Sequence, residues 1–222
     1  MKWSICLLCA LSVSTLLFES SAFLAPIQRN SLKGKLKNAC QLKDEAKIIS
    51  VVNELSKLNP TKDITKDFAK LDGQWKLAFT TAPSSEVPDE EASGFSTYQK
   101  IETKKGIIYN VIDRGLPAKG LRIGVGAEPT RPGRVALDFR TIEVFGNFPR
   151  GKLRLAFPDR ALVKAVAKLV AKVRGEAWDE LRFKEIAHFD VLFLDEDLRV
   201  QRNSEGNLFV NTRIPADARL PL

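Results

Sequence analysis

Near the C-terminus, Asp195, Asp197, Arg199 and Arg202 place two carboxylates and two guanidiniums within eight residues. Residues two apart on an extended strand share a face, so Asp195 and Asp197 could act as an acid–base pair or hold a metal ion. Arg199 continues the same alternation, and arginine commonly neutralises such carboxylates. A structural ion-pair network of Asp195, Asp197, Arg199 and Arg202, tying the last hairpin to the first strand, is the favoured reading. His188 is the only histidine, so zinc sites built on paired imidazoles are excluded, and a Ser–His–Asp triad would have to use it. The chain has no Gly-x-Ser-x-Gly elbow and no P-loop, and residues 120–126 lack the spacing of a dinucleotide fingerprint. Cys40 has no activating neighbour in the sequence. No reaction is readable, and a non-enzymatic protein without cofactor or metal is expected.

A second set of residues has the chemistry of apolar binding. Trp75, Leu77 and Phe79 alternate with Lys76, Ala78 and Thr80, as on a half-buried strand. Val135, Leu137 and Phe139 alternate likewise, and the apolar set then changes parity to Ile142 and Val144. Such a switch marks a bulge or bend, which sheets need in order to curve. Further strands are expected at 95–101, 107–112, 121–125, 153–157, 189–194, 198–202 and 208–213, with turn chemistry at 82–84 and 128–133. Before them, residues 40–58 read as an amphipathic helix on Leu42, Ala46, Ile49, Val52 and Leu55, ended by Asn59-Pro60. Another helix interrupts the strands: Leu162, Val163, Val166, Leu169, Val170 and Val173 form its apolar stripe, and Lys164, Lys168, Lys172 and Arg174 a basic one. The fold class is therefore mainly β, an antiparallel barrel with an N-terminal amphipathic helix and one inserted basic helix.

The chain has 222 residues and a formal net charge of +8. That excess favours anionic partners. Lys2 and the apolar run 5–18 form a leader, with residues 1–22 as a signal peptide. Ser21-Ala22-Phe23-Leu24-Ala25-Pro26 resembles the Phe-centred cleavage motif of precursors bound for plastids of red-algal origin. The basic, acid-free stretch that follows suits a transit segment at 23–39. Plain secretion is the alternative. Cys6 and Cys9 would leave with the leader, so Cys40 has no disulfide partner in the domain. The domain is expected at 40–216, with a tail at 217–222.

Gly73-Gln74-Trp75 is the Gly-x-Trp pattern that opens lipocalin-type barrels. Its surroundings, Leu58-Asn59-Pro60-Thr61 and then residues 71–81, resemble the start of a plastid lipid-associated (fibrillin) domain. Residues 193–202 and Gly206-Asn207-Leu208-Phe209-Val210 are similar to that family's closing hairpin, although Phe193 stands where the family favours Tyr. The resemblance covers roughly residues 42–214. It implies a lipocalin-like barrel that binds plastid lipids or isoprenoids and associates with thylakoid or plastid lipid-droplet surfaces.

Trp75, Leu77, Phe79, Leu137 and Phe139 are the inward-facing candidates by alternation. Either they line a site for one apolar ligand or they pack against one another. Lys164, Lys168, Lys172 and Arg174 could dock an anionic plastid membrane or droplet surface, or simply be solvated. Aromatic residues are not interleaved with the basic ones as base-stacking platforms require, so nucleic acid is not an expected partner. A filled barrel that recruits a protein partner, such as an isoprenoid-pathway enzyme, is the second reading. An unrecognised enzyme working through Asp195 and Asp197 is the third.

Overall fold

The computed structural model describes residues 24–84, 86–113, 120–146, 151–158, 164, 165, 168, 177, 185–215, 217 and 218. It divides into two compact units, Met1–Leu58 and Asn59–Leu222.

In the first unit, helix α1 spans residues 24–41 and helix α2 spans Glu45–Lys57. Lys43, in the left-handed region at φ 51°, turns the chain between them. Asp44 then caps α2 by accepting from the Lys47 amide at 3.1 Å. The segment read as transit-like is helical from residue 24, with Leu32, Leu36 and Ala39 buried at helical spacing. The buried face of α2 is Ile48, Val51, Val52 and Leu55, whereas Leu42 and Ile49 are exposed. The pairs Ile48-Ile49 and Val51-Val52 permit two phasings of the same stripe, and the sequence pattern selected the other one. Among the described residues, no helix is long and apolar enough to cross a membrane.

The second unit is mainly β. Its strands are β1 Gly73–Thr80, β2 Ser96–Glu102, β3 Ile107–Asp113, β4 Gly120–Arg131, β5 Arg134–Phe145, β6 Lys152–Ala156, β7 His188–Leu194, β8 Leu198–Asn203 and β9 Leu208–Ile214. All pair antiparallel in one nine-stranded sheet of order β4-β3-β2-β1-β9-β8-β7-β5-β6. Pairing of β4 with β5 joins the order back on itself, so eight strands form a closed circuit. β6 lies outside that circuit, alongside the far half of β5. The parity switch in β5 is a bulge: Thr141 pairs with Gly124 and Phe139 with Val125, leaving Arg140 as the extra residue. Residues 128–131, read as loop, belong to β4, and Pro129 pairs with Val135 beside a second irregularity. A proline is tolerated where the ladder is already broken.

Following the pairings around the circuit assigns each side chain to a face. Trp75, Gln99, Ile101, Ile108, Val125, Ala127, Val135, Phe189, Val191, Leu194 and Arg199 share the inner face. Among the described residues, Ile64, Leu71, Trp75, Ile101, Ile108, Ala127, Val135, Phe189, Val191 and Leu194 pack as one buried core cluster. Ile64 and Leu71 come from the segment before β1, which plugs one end of the circuit. Asn59 holds that plug in place: its side-chain oxygen accepts from the amides of Thr61 and Leu194, both at 3.0 Å.

Candidate ligand-binding site

The plugged end has a floor built on Trp75. Its ring is fully buried and its indole N–H donates to the Leu71 carbonyl at 2.9 Å. The Arg213 guanidinium lies over the ring, 4.1 Å from the centroid. Arg213 donates to the carbonyls of Lys70, Asp72 and Glu196, so it joins β9, the turn before β8 and the start of β1. Gly73 makes this possible. It adopts φ 121°, and a Cβ there would meet Arg213 Nη1 at 2.6 Å. The Gly-x-Trp pattern thus has a geometric cause: glycine clears the space that the guanidinium occupies above the indole.

Beyond this floor the inner wall changes character. Arg199, fully buried, stands over the same indole at 4.9 Å and donates through Nη2 to the side-chain oxygen of Gln99. Gln99 donates in turn to Asn110 at 2.5 Å. Asn211 pairs with Arg199 across the β8–β9 ladder, and Gln201 is two residues along on the same face. Both amides are buried. Arg199 Nε and Nη1, Asn211 Nδ2 and Gln201 Oε1 have no hydrogen-bond partner among the described residues. Burial, with the positive charge of Arg213 nearby, pulls the Arg199 pKa down to about 9.

Further from the plug, the inner face is apolar and partly open. By register, Leu77, Ile112, Leu121, Ile123, Ile142, Val144 and Phe209 face inward, yet all are half-buried instead of buried. The circuit is packed at one end and reached by solvent at the other.

The five expected lining residues fare differently. Trp75 belongs to the floor, Leu77 to the open wall, and Leu137 packs against the core. Phe79 faces outward, because a register shift between Leu77 and Phe79 pairs it with Val210. Phe139 has inward parity but is 49% exposed and meets the Phe157 ring at 6.2 Å.

The expected ion-pair network also differs. Arg199 bonds Gln99, not a carboxylate. Asp195 turns back on its own hairpin, accepting from the amides of Asp197 and Leu198 at 3.2 and 2.9 Å. Arg202 is exposed opposite Leu208. The tie from the last hairpin to the first strand runs through Arg213, which donates to backbone carbonyls and has Asp72, Asp195, Glu196 and Asp197 around it. An ion-pair network does exist at the plugged end: buried Glu185 meets Arg131 and Arg134 at 2.8 and 3.0 Å, and Arg134 meets Asp190 at 2.7 Å. Desolvation raises the Glu185 pKa, but its bonds from Thr130 and Arg134 outweigh that and hold it below the usual carboxylate range.

A groove of about 320 Å³ lies on the outer face. Among the described residues that line it, Arg122, Arg140, Lys152 and Arg154 surround one acid, Glu143. Burial raises the Glu143 pKa, and hydrogen bonds from Lys152 and Arg122 more than reverse this. Of the basic helix, Lys164 and Lys168 are helical, and Lys172 and Arg174 lie outside the described residues. Among the described residues no cluster of His, Cys, Asp or Glu could hold a metal. Cys40 is buried, which pushes its thiol up to about 11 and leaves little thiolate at neutral pH.

The PAP_fibrillin family model matches residues 30–212, most of the chain. The chain belongs to that family. PAP_fibrillin proteins are plastid-associated, lipid-associated in general terms, and generally structural, not enzymatic. The family match begins at residue 30, inside α1, ahead of the boundary expected at residue 40. No curated protein and no solved structure matches the chain.

Proposed function

We propose that this PAP_fibrillin protein holds one apolar lipid or isoprenoid in the open half of a lipocalin-like barrel and works without catalysis at a plastid lipid surface. The observation that carries the reading is the contrast along the inner face. Core residues fill the plugged end, whereas inward-facing Leu77, Ile123, Ile142, Val144 and Phe209 remain half-buried. Apolar side chains that line a barrel without filling it are suited to a ligand.

The surface reading rests on β6 and its neighbours. Leu153, Leu155 and Phe157 are exposed on one face of this strand, with exposed Phe139 beside Phe157. Lys152 and Arg154 alternate with them and face the basic groove. Apolar side chains next to four cations complement the interface of an anionic bilayer or droplet. Lys164, Lys168, Lys172 and Arg174 would add to the same attraction. The leader, with a signal peptide at 1–22 and a plastid-directing motif at 21–26, would deliver the chain to thylakoids or plastid lipid droplets.

Lipid capture tests the reading. The purified protein is incubated with plastid lipid extract, repurified and analysed by mass spectrometry. A stoichiometric acyl lipid or isoprenoid is the expected result. A folded protein that emerges without lipid would overturn it in favour of a filled barrel that recruits a protein partner.

A further inference from the structure

We propose that Arg199 is a headgroup receptor: the barrel takes an apolar molecule carrying one carboxylate, inserted head-first so that the carboxylate accepts from Arg199 Nε and Nη1 and from Asn211 Nδ2. This deepens the barrel reading above and rests on it.

The argument starts from the two guanidiniums over Trp75. Every terminal of Arg213 is committed to a backbone carbonyl, and Asp72, Asp195, Glu196 and Asp197 supply negative charge around it. Arg199 is buried more completely and has less. Among the described residues its one hydrogen bond goes to a neutral amide, Nε and Nη1 have no partner, and its charged neighbour is another cation. A desolvated cation without an anion is costly, as is a buried donor without an acceptor. A purely structural arginine would be expected to use its remaining donors, as Arg213 does.

Position matters as much as charge. Arg199 lies between the floor and the open apolar wall, so a chain lying along Leu77, Ile123, Ile142 and Phe209 would bring its end group to the guanidinium. Asn211 Nδ2, on the neighbouring strand, adds a third donor at the same depth. One carboxylate balances one free guanidinium. A phosphate would bring a second negative charge into the interior, where the donors of Arg213 are already engaged. The interior therefore favours a carboxylate over a phosphate or diphosphate.

The test compares palmitic acid with methyl palmitate, which differs in charge and not in chain, by displacement of the neutral dye Nile red from the full chain at pH 7.5. The acid should displace the dye at about tenfold lower concentration than the ester, as a charge-assisted bond in a buried site would give. In Arg199→Met the two should become equal, and Asn211→Leu should narrow the gap. Equal displacement by acid and ester in the unaltered protein would overturn the headgroup proposal while leaving the apolar barrel standing. Failure of dye, acid and ester alike to bind would overturn the barrel reading itself. Because the acid-to-ester ratio is read first in the unaltered protein, a variant that folds poorly leaves the test decisive.

Discussion

The floor and the wall of the circuit each place an arginine over Trp75, and they use it in opposite ways. At the floor, Arg213 is held by carbonyls, acids and the gap left by Gly73, so its charge is spent on closing the structure. At the wall, Arg199 is buried among amides with donors to spare. The difference separates a clamp from the receptor proposed above: polar groups that satisfy one another hold a fold together, while polar groups left open in a dry interior are available to something else.

The comparison breaks most readily at the floor. Trp75→Ala should cost roughly 3–5 kcal/mol in chemical denaturation, since the ring is fully buried and anchors both the plug and the guanidiniums. An unchanged unfolding midpoint would show that the floor is not a keystone. Gly73→Ala should cost about 2 kcal/mol, from the φ that an L-residue avoids and from displacement of Arg213. Glu185→Gln should cost about 1–2 kcal/mol at neutral pH by weakening the bonds to Arg131 and Arg134. Because the folded Glu185 pKa lies below its unfolded value, its stabilisation is present above the unfolded pKa and is lost as pH falls through the folded one. The gap between the original protein and the Gln variant should therefore close in acid.

The wall should answer with the opposite sign. In lipid-free protein, Arg199→Met should raise stability by about 1 kcal/mol, because an uncompensated buried charge is replaced by an apolar chain. The folded Arg199 pKa is lowered to about 9. The unfolded state therefore binds the extra proton between that value and the ordinary arginine range, and the penalty shrinks as pH rises through it. Melting curves should accordingly show the advantage of the Met variant narrowing above about pH 9. A Met variant less stable than the original protein would instead make Arg199 a second clamp.

Much of the sheet was legible because its signal has period two. The Val135–Leu137–Phe139 alternation and the shift to Ile142 signalled a bulge or bend, which the structure places at Arg140, since one extra residue must reverse every later side chain. The same effect hid part of the site. A register shift after Leu77 turned Phe79 outward, and the alternation there gave no warning because Ala78 and Thr80 suit either face. In the last hairpin, charge pattern suggested Asp195 and Asp197 as partners of Arg199, whereas the tight turn aims Asp195 at its own amides. Arg213 was missed because its role depends on a missing Cβ at Gly73, 140 residues away. Gln99, Asn110, Gln201 and Asn211 are unremarkable on any one strand and become a group only when the circuit closes. Helix α1 was obscured by a basic, hydroxyl-rich composition, although Leu32, Leu36 and Ala39 carried the helical spacing.

The closing strand has a temporal consequence. Among the described residues β9 is the last strand, and it alone bridges β1 and β8. A polypeptide emerging N-terminus first, from a ribosome or through a membrane pore, can form the hairpins β2–β3 and β4–β5 early, since their partners are near in sequence. It cannot complete the ring until Ile214 is out, when Gln74, which faces Lys100 on its other side, meets Ile214 across the whole domain. Until then Trp75 has no Arg213 above it and the interior has no finished wall. The chain therefore remains threadable for nearly its full length, and the enclosed interior comes into being at the final step.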